Sequence, residues 1–274
     1  MVVVGTGVAG MEAAWIAAAR GHQVTAFGRS AEVGGKTRLH SRLPGGEPLS
    51  GIYDNQFAAA GRTGAKFELG VSASAADVIA LKPDAVVLAS GSQMLPPPWL
   101  PPAVRDAGLV ADLRSAMSAL LRHTTRQSGT AVIFDMDHTA GTYAAAELLR
   151  AWFDRVVVIT PRESIAQEVA LVTRQGILRR IHEKRIETIA LAEPRWSERF
   201  INEGKLEYAN VYNGGAGVIA DVAFLAYSTP RVPEDVLAGP LRTAGIEVHL
   251  VGDCRWPRGL LAATSEGHAA GNAI

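Results

Sequence analysis

Val2-Val3-Val4-Gly5-Thr6-Gly7-Val8-Ala9-Gly10-Met11-Glu12-Ala13-Ala14 decides the reading of this chain. Three valines predict a buried strand, the glycines a tight turn, and the alanine-rich run from Met11 to Ala19 a helix. Gly5, Gly7 and Gly10 stand at the GxGxxG spacing. In that pattern the first glycine permits the turn, the second lets backbone approach a pyrophosphate, and the third lets the helix pack closely on the strand. The N-terminus of that helix, with Val8 and Ala9 leading into it, then presents free N–H groups to phosphate charge. The alternative is a glycine-rich turn that only packs.

Working outward, Gln23–Phe27 predicts a second strand. A dinucleotide fold places Asp or Glu about 20 residues beyond the glycines, on the ribose hydroxyls. Here Gly28 and Arg29 occupy that place, and the next carboxylate is Glu32. Arg29 either stacks on adenine or meets a 2′-phosphate, or is a solvated loop residue. Gly34, Gly35 and Lys36 form a second glycine-rich turn, whose amides and cation would suit another face of the same pyrophosphate. Arg38 and Arg42 follow, either as further cations or as surface charge. Residues 51–62 predict a helix, Lys66–Gly70 a strand, Ala75–Leu81 a helix, and Asp84–Ser92 a buried strand ending in the small residues Ala89, Ser90 and Gly91.

The run Pro96-Pro97-Pro98-Trp99-Leu100-Pro101-Pro102 reads as an extended crossover between domains. After a helix from Leu113 to His123, residues 130–160 repeat the opening plan. Thr130–Phe134 is a strand, Asp135–Thr142 a turn, Tyr143–Phe153 a helix and Arg155–Thr160 a strand. This turn, Asp135-Met136-Asp137-His138-Thr139-Ala140-Gly141, lacks the three glycines and puts two carboxylates where phosphate would lie, which argues against an NAD(P)H site. Asp135, Asp137 and His138 as metal ligands are the alternative to aspartates that cap the next helix, and the latter is the expectation: no metal site. Glu168–Ala192 holds a helix and a strand, with a basic run (Arg179, Arg180, His182, Lys184, Arg185) that reads as a solvated face or as a patch for an acidic partner. Strands are expected at 206–209 and 221–226 around a Gly214–Gly217 turn. Glu247–Val251 is a last buried strand ending at Gly252-Asp253, and a helix runs from Gly259 to the end.

Composition narrows the function classes. Lys plus Arg equals Asp plus Glu at 27 each, so net charge gives no drive toward nucleic acid or a membrane surface. A single cysteine, Cys254, excludes within this chain an intrachain disulfide, a CxxC redox pair and a four-cysteine iron–sulfur site. No apolar run is long enough for a membrane span, and Val2–Val4 enter the turn without a basic leader. The expectation is a cytoplasmic protein.

The opening GxGxxG, Gly34-Gly35, Leu88-Ala89-Ser90-Gly91, Val251-Gly252-Asp253-Cys254, Pro257-Arg258 and Glu266-Gly267-His268 together resemble the two-dinucleotide-domain flavoprotein superfamily. More closely, they are similar to the C-terminal half of the trimethylamine dehydrogenase and 2,4-dienoyl-CoA reductase family (old yellow enzyme-like). The resemblance covers nearly the whole chain, most specifically residues 21–44 and 249–268. It implies an α/β fold of two Rossmann-like dinucleotide-binding domains, the second inserted into the first: residues 1–112 and 222–274 for FAD or ADP, and residues 113–221 for an NAD(P)-binding-like domain with a degenerate loop. It implies that Gly5, Gly7 and Gly10 hold the ADP pyrophosphate and that Gly34, Gly35 and Lys36 line the same cofactor. Val71 would meet adenine through its backbone, and Ala89, Ser90 and Gly91 would pass close to the nucleotide. Gly252-Asp253 would close the site, with Asp253 on the ribityl chain of FAD, or else serving only as a helix-entry cap. The backbone at 258–261, Leu260 included, would face the flavin. In that family a TIM-barrel domain with FMN and an iron–sulfur cluster precedes this half, so the expected partner is a separate TIM-barrel flavoprotein subunit. The degenerate second turn resembles the trimethylamine dehydrogenase branch, where this region carries ADP and does no hydride chemistry. No residue stands out as a general acid or base. Three functions follow: an FAD- or ADP-binding oxidoreductase subunit, a self-contained NAD(P)H-dependent flavoenzyme, and a non-catalytic subunit with a vestigial nucleotide site.

Overall fold

The computed structural model of the protein describes residues 1–122 and 125–274. The chain forms two compact units, one of Met1–Arg42, Gly46–Gln93 and Arg231–Ile274, the other of Leu43–Gly45 and Met94–Pro230.

Unit 1 begins with β1 (Val2–Val4), α1 (Val8–Ala19) and β2 (Thr25–Gly28). It continues through α2 (Gly35–Ser41), α3 (Ser50–Thr63), β3 (Lys66–Leu69), α4 (Ala75–Ala80) and β4 (Ala85–Leu88), with a short β5 (Ser92–Met94) after it. The second unit's elements are α5 (Pro102–Asp106), β6 (Ala111–Asp112), α6 (Leu113–Leu120), β7 (Thr130–Asp135), α7 (Ala140–Trp152), β8 (Arg155–Ile159), α8 (Leu171–Glu183), β9 (Glu187–Ile189), β10 (Ala192–Arg195), α9 (Arg199–Glu203), β11 (Leu206–Asn210), β12 (Ala216–Ile219) and β13 (Val222–Ser228). The chain then returns to unit 1 as β14 (Arg231–Pro233), α10 (Ala238–Thr243), β15 (Glu247–Leu250) and α11 (Leu260–Ala273).

The sheet of unit 1 runs β15-β4-β1-β2-β3, parallel at every pairing. β1 is central, and the order reverses beside it, which is where open parallel sheets bind ligands outside the strand C-termini. β1 and β4 are buried along their whole length, as their unbroken apolar runs require of strands covered on both faces. α1 is apolar around most of its surface and is correspondingly buried, from Val8 to Ala18 apart from Glu12 and Trp15. Gly267 and Gly271 of α11 make the fit against it possible: a Cβ at 267 would stand 2.2 Å from the Ala9 carbonyl oxygen, and one at 271 2.9 Å from that of Ala13.

Unit 2 has its own parallel sheet, β6-β13-β7-β8-β9, and a three-stranded antiparallel sheet, β10-β11-β12. Its core gathers Phe134, Val132, Val157, Ile159 and Tyr227, with Trp99 edge-on to Phe134 at 5.5 Å between ring centres. The domain limits expected at 112/113 and 221/222 differ from the observed division at 93/94 and 230/231. The reason is pairing: β6 and β13 hydrogen-bond into the sheet of β7, so residues 94–112 and 222–230 belong with unit 2. α7 begins at Ala140, earlier than the expected Tyr143, because Thr139 already holds the extended conformation of a helix-preceding residue. α6 extends to Leu120, and the expected end at His123 lies outside the described residues. Among the described residues no helix is long and apolar enough to cross a membrane.

Candidate functional site

The turn from β1 to α1 is built on three glycines with three different reasons. Gly5 has φ +107°, and a Cβ there would lie 2.2 Å from the Ala89 carbonyl oxygen. A Cβ at Gly10 would lie 1.9 Å from the Gly5 carbonyl oxygen and 3.0 Å from Ala89 Cβ, so Gly10 lets α1 sit against the strands. Gly7 is the exception. Its backbone (φ −72°, ψ 177°) suits any residue, and a Cβ there would meet no described atom within 4 Å. Neither strain nor packing within the chain explains a glycine at this position. Gly7 precedes α1 without a side-chain cap, and the first turn of the helix carries no acidic residue, so Val8, Ala9 and Gly10 present uncapped N–H groups beside that open space.

The second glycine turn stands directly against the first. Gly7 and Gly34 form a parallel bridge, the Gly34 N–H donates to the Thr6 carbonyl at 2.8 Å, and a Cβ on Gly35 would come within 3.2 Å of Gly7 Cα. The expectation that the Gly34 amide faces phosphate is corrected: that N–H is used to support the first turn. Ala89 closes the other side, its N–H donating to Val4 O at 2.8 Å. Next to it Ser90 Oγ donates to the Glu234 carbonyl at 2.5 Å, and Gly91 O accepts from Glu234 N–H at 3.0 Å.

Asp253 is the best-connected carboxylate of unit 1. It is buried in a short 3-10 turn, Gly252–Cys254. Its Oδ2 accepts from Lys36 Nζ, from Arg231 at 2.9 Å and from Ser92 Oγ at 2.9 Å, while Oδ1 takes the Arg258 N–H at 3.3 Å. Burial pushes this carboxyl up, but the Lys36 charge, with Arg231 and the Ser92 hydroxyl, outweighs burial and holds it below the ordinary carboxylate range. The helix-cap alternative does not hold, since α11 starts after Gly259 with no side-chain cap. The turn itself is pinned by Glu266 of α11, which accepts the Gly252 N–H at 2.9 Å and pairs with Arg258. Gly252 must be small here: a Cβ would lie 2.8 Å from Ala9 Cβ. Leu260 is half-buried at the start of α11. The neighbouring Cys254 thiol is buried and pushed up by that burial, so it is no reactive thiolate.

The remaining sequence-predicted residues lie around this cradle. Arg29 is largely exposed and pairs with Glu234 at 3.3 Å. Arg42 and Arg38 both pair with Glu32, at 2.7 and 3.1 Å. The Val71 N–H donates to the Gly28 carbonyl at 2.9 Å, fixing its loop beside the end of β2. Sequence reasoning missed Ser92 and Arg231 on Asp253. Ser92 stood at the end of an expected strand of small residues, whereas nothing in the spacing of Arg231 marked it.

The equivalent turn of unit 2 is filled instead of open. Asp135, fully buried, accepts the His138 backbone N–H at 3.0 Å and the Tyr143 hydroxyl at 2.5 Å. That hydroxyl in turn accepts the Ala166 N–H at 2.5 Å. Thr160 Oγ1, which accepts the Arg162 N–H, lies 3.2 Å from His138 Nε2. Met136 and Asp137 donate their N–H groups to Ser228 O, at 2.7 and 3.0 Å. Burial pushes Asp135 up and His138 down. The expected capping of α7 by an aspartate is therefore replaced by capping of the turn itself. Among the described residues no group of three or more His, Cys, Asp and Glu is arranged to hold a metal ion. Of the basic run, Arg180 pairs with the buried Glu147 at 2.8 Å and Arg179 lies 3.7 Å from Glu183, while Arg179, His182, Lys184 and Arg185 are exposed.

Residues 3–57 match the model of the NAD(P)-binding Rossmann-like domain. Unit 1 carries a Rossmann-like nucleotide-binding domain. A probable N-methylproline demethylase of Rhizobium meliloti is 32% identical over 169 residues, 62% of this chain and 24% of that protein. A bilirubin reductase of Mediterraneibacter gnavus is 28% identical over 280 residues, 100% of this chain and 40% of that one. Among solved structures, histamine dehydrogenase from Rhizobium sp. 4-9 superposes with a TM-score of 0.82 at 22% identity, over 100% of this chain and 43% of its own. The chain thus has the α/β fold of two-domain FAD oxidoreductases and spans less than half the length of these relatives.

Proposed function

We propose that the chain is the nucleotide-binding part of a flavin-dependent oxidoreductase of the trimethylamine dehydrogenase and 2,4-dienoyl-CoA reductase type. Unit 1 holds FAD, and the chain works in the cytoplasm with a separate TIM-barrel flavoprotein subunit carrying FMN and an iron–sulfur centre. The observation that carries this reading is Gly7, a glycine that the protein's own backbone and packing leave unexplained, beside uncapped helix N–H groups. A pyrophosphate approaching the backbone supplies the missing reason. The cradle fits that group: Gly5 and Gly10 shape it, and Val8 and Ala9 offer amides, while Lys36, in the second glycine turn, holds Asp253. Bound FAD would supply the electron transfer, while these residues bind and orient it.

A second reading, ADP alone, is favoured by Asp253. The carboxylate expected on the ribityl chain has Lys36, Arg231 and Ser92 on one oxygen. A self-contained NAD(P)H-dependent enzyme is disfavoured by the side chains filling the unit 2 turn.

The test is the visible spectrum and nucleotide content of the purified protein with its Gly7→Ala variant. The expected result is near-stoichiometric flavin in the wild type and at least about a tenfold loss of affinity in a variant that remains folded. Colourless protein carrying ADP would select the second reading. Protein with no nucleotide would sink both, and rapid bleaching by NADH or NADPH would overturn the reading of unit 2.

A further inference from the structure

The end of β2 is where a Rossmann-like fold ordinarily reads the adenosine ribose with a carboxylate. In this chain that place is closed by the protein itself. A Cβ on Gly28 would lie 2.4 Å from Thr6 Oγ1, 3.1 Å from Thr6 Cγ2 and 2.9 Å from Leu69 Cδ2. Thr6 is buried, and its backbone is fixed because its carbonyl takes the Gly34 N–H at 2.8 Å. Gly28 O is tied to the Val71 N–H, so the strand end has little room to shift. Thus no side chain of any kind enters at position 28 without displacing Thr6. Two carboxylates of the loops beside it are engaged as well. Glu32, the first after β2, holds both Arg38 and Arg42, and Glu234 holds Arg29.

We propose that unit 1 reads its nucleotide through the diphosphate and leaves the adenosine ribose hydroxyls unread, with Thr6 as the residue that sets this specificity. The proposal rests on the nucleotide-binding reading given above. Its chemistry is simple. A carboxylate that accepts a ribose hydroxyl makes the 2′-deoxy analogue costly, because a buried charged acceptor is left without its donor. Where Thr6 and Leu69 fill that place, removing the 2′-hydroxyl orphans nothing. Removing the β-phosphate, by contrast, takes away the charge that the glycine turns and α1 are arranged to meet.

Calorimetric titration of the protein, freed of any retained nucleotide, with ADP, 2′-deoxy-ADP and AMP at fixed ionic strength tests this directly. The expected result is ADP and 2′-deoxy-ADP binding within about twofold of each other, and AMP weaker by about tenfold or more. A loss of about tenfold or more for 2′-deoxy-ADP overturns the proposal, as does AMP binding equal to ADP. If neither ADP nor FAD binds, the nucleotide-binding reading itself has failed and the proposal falls with it. The double variant Thr6→Ala, Gly28→Asp sharpens the assignment. Once shown folded by circular dichroism, it should acquire a preference for ADP over 2′-deoxy-ADP of about fivefold or more. A folded double variant that still treats the two alike removes Thr6 as the determinant.

Discussion

The turn after β1 and the turn after β7 answer one architectural position in opposite ways. Both join a buried parallel strand to a helix across the C-terminal edge of a parallel sheet. In unit 1 the side chain of the turn, Thr6, is packed inward against the end of β2, and Gly7, which has room for a side chain, has none. In unit 2 the same place holds Asp135, His138 and Tyr143, which bond to one another and to Ala166 and lie near Thr160. The same α/β frame thus leaves uncapped helix N–H groups beside open space in one unit and builds a self-satisfied polar core in the other. The carboxylates show the difference electrostatically: cations hold Asp253 low, whereas burial pushes Asp135 up.

The comparison is broken most directly by Gly10→Ala. Its Cβ would lie 1.9 Å from the Gly5 carbonyl oxygen, a backbone atom with no side-chain freedom to move aside, so the loss should be about 3 kcal/mol or more, read by denaturant unfolding. A stable Gly10→Ala protein would mean that the turn can relax and that its shape is not set by packing. Next in size is Tyr143→Phe, which leaves the buried Asp135 carboxylate and the Ala166 N–H each short of a partner; about 2 kcal/mol is expected. A change within error would show that the filled turn is incidental to unit 2. The smallest effect is the acid response of Asp253→Asn. The folded-state pKa of Asp253 lies below its unfolded value, so its contribution is fully present above about pH 4 and is lost as pH falls through the folded value. The Asn variant should therefore be less stable than wild type at pH 7 and converge with it at low pH in parallel melting curves; a pH-independent gap would argue against the charge pairing.

Much of this was readable in the chain. Gly5, Gly7 and Gly10 after three valines marked strand, turn and helix because these elements are local in sequence. The repeat at 130–160 was visible for the same reason, and so was its missing phosphate loop. What escaped depended on distant partners. That β13 pairs with β7 and not with unit 1's sheet is a matter of strand order, which a valine- and alanine-rich strand does not reveal. Arg231 and Ser92 reach Asp253 only because β14 and β5 bring them there. Tyr143 looked like an ordinary helical aromatic, and only the fold shows its hydroxyl between Asp135 and Ala166.

The packing of α11 on α1 ties together two stretches of unit 1 that lie far apart in the chain. β15 completes the edge of the unit 1 sheet, and Gly267 and Gly271 seat α11 on α1. The surface of α1 that receives α11 is covered only once residues 231–274 have docked, whereas residues 94–230 are contiguous and pair their own sheets without them. A chain in which that segment has come loose therefore keeps the glycine turn after β1 but loses the turn at Asp253 and the helix that pins it.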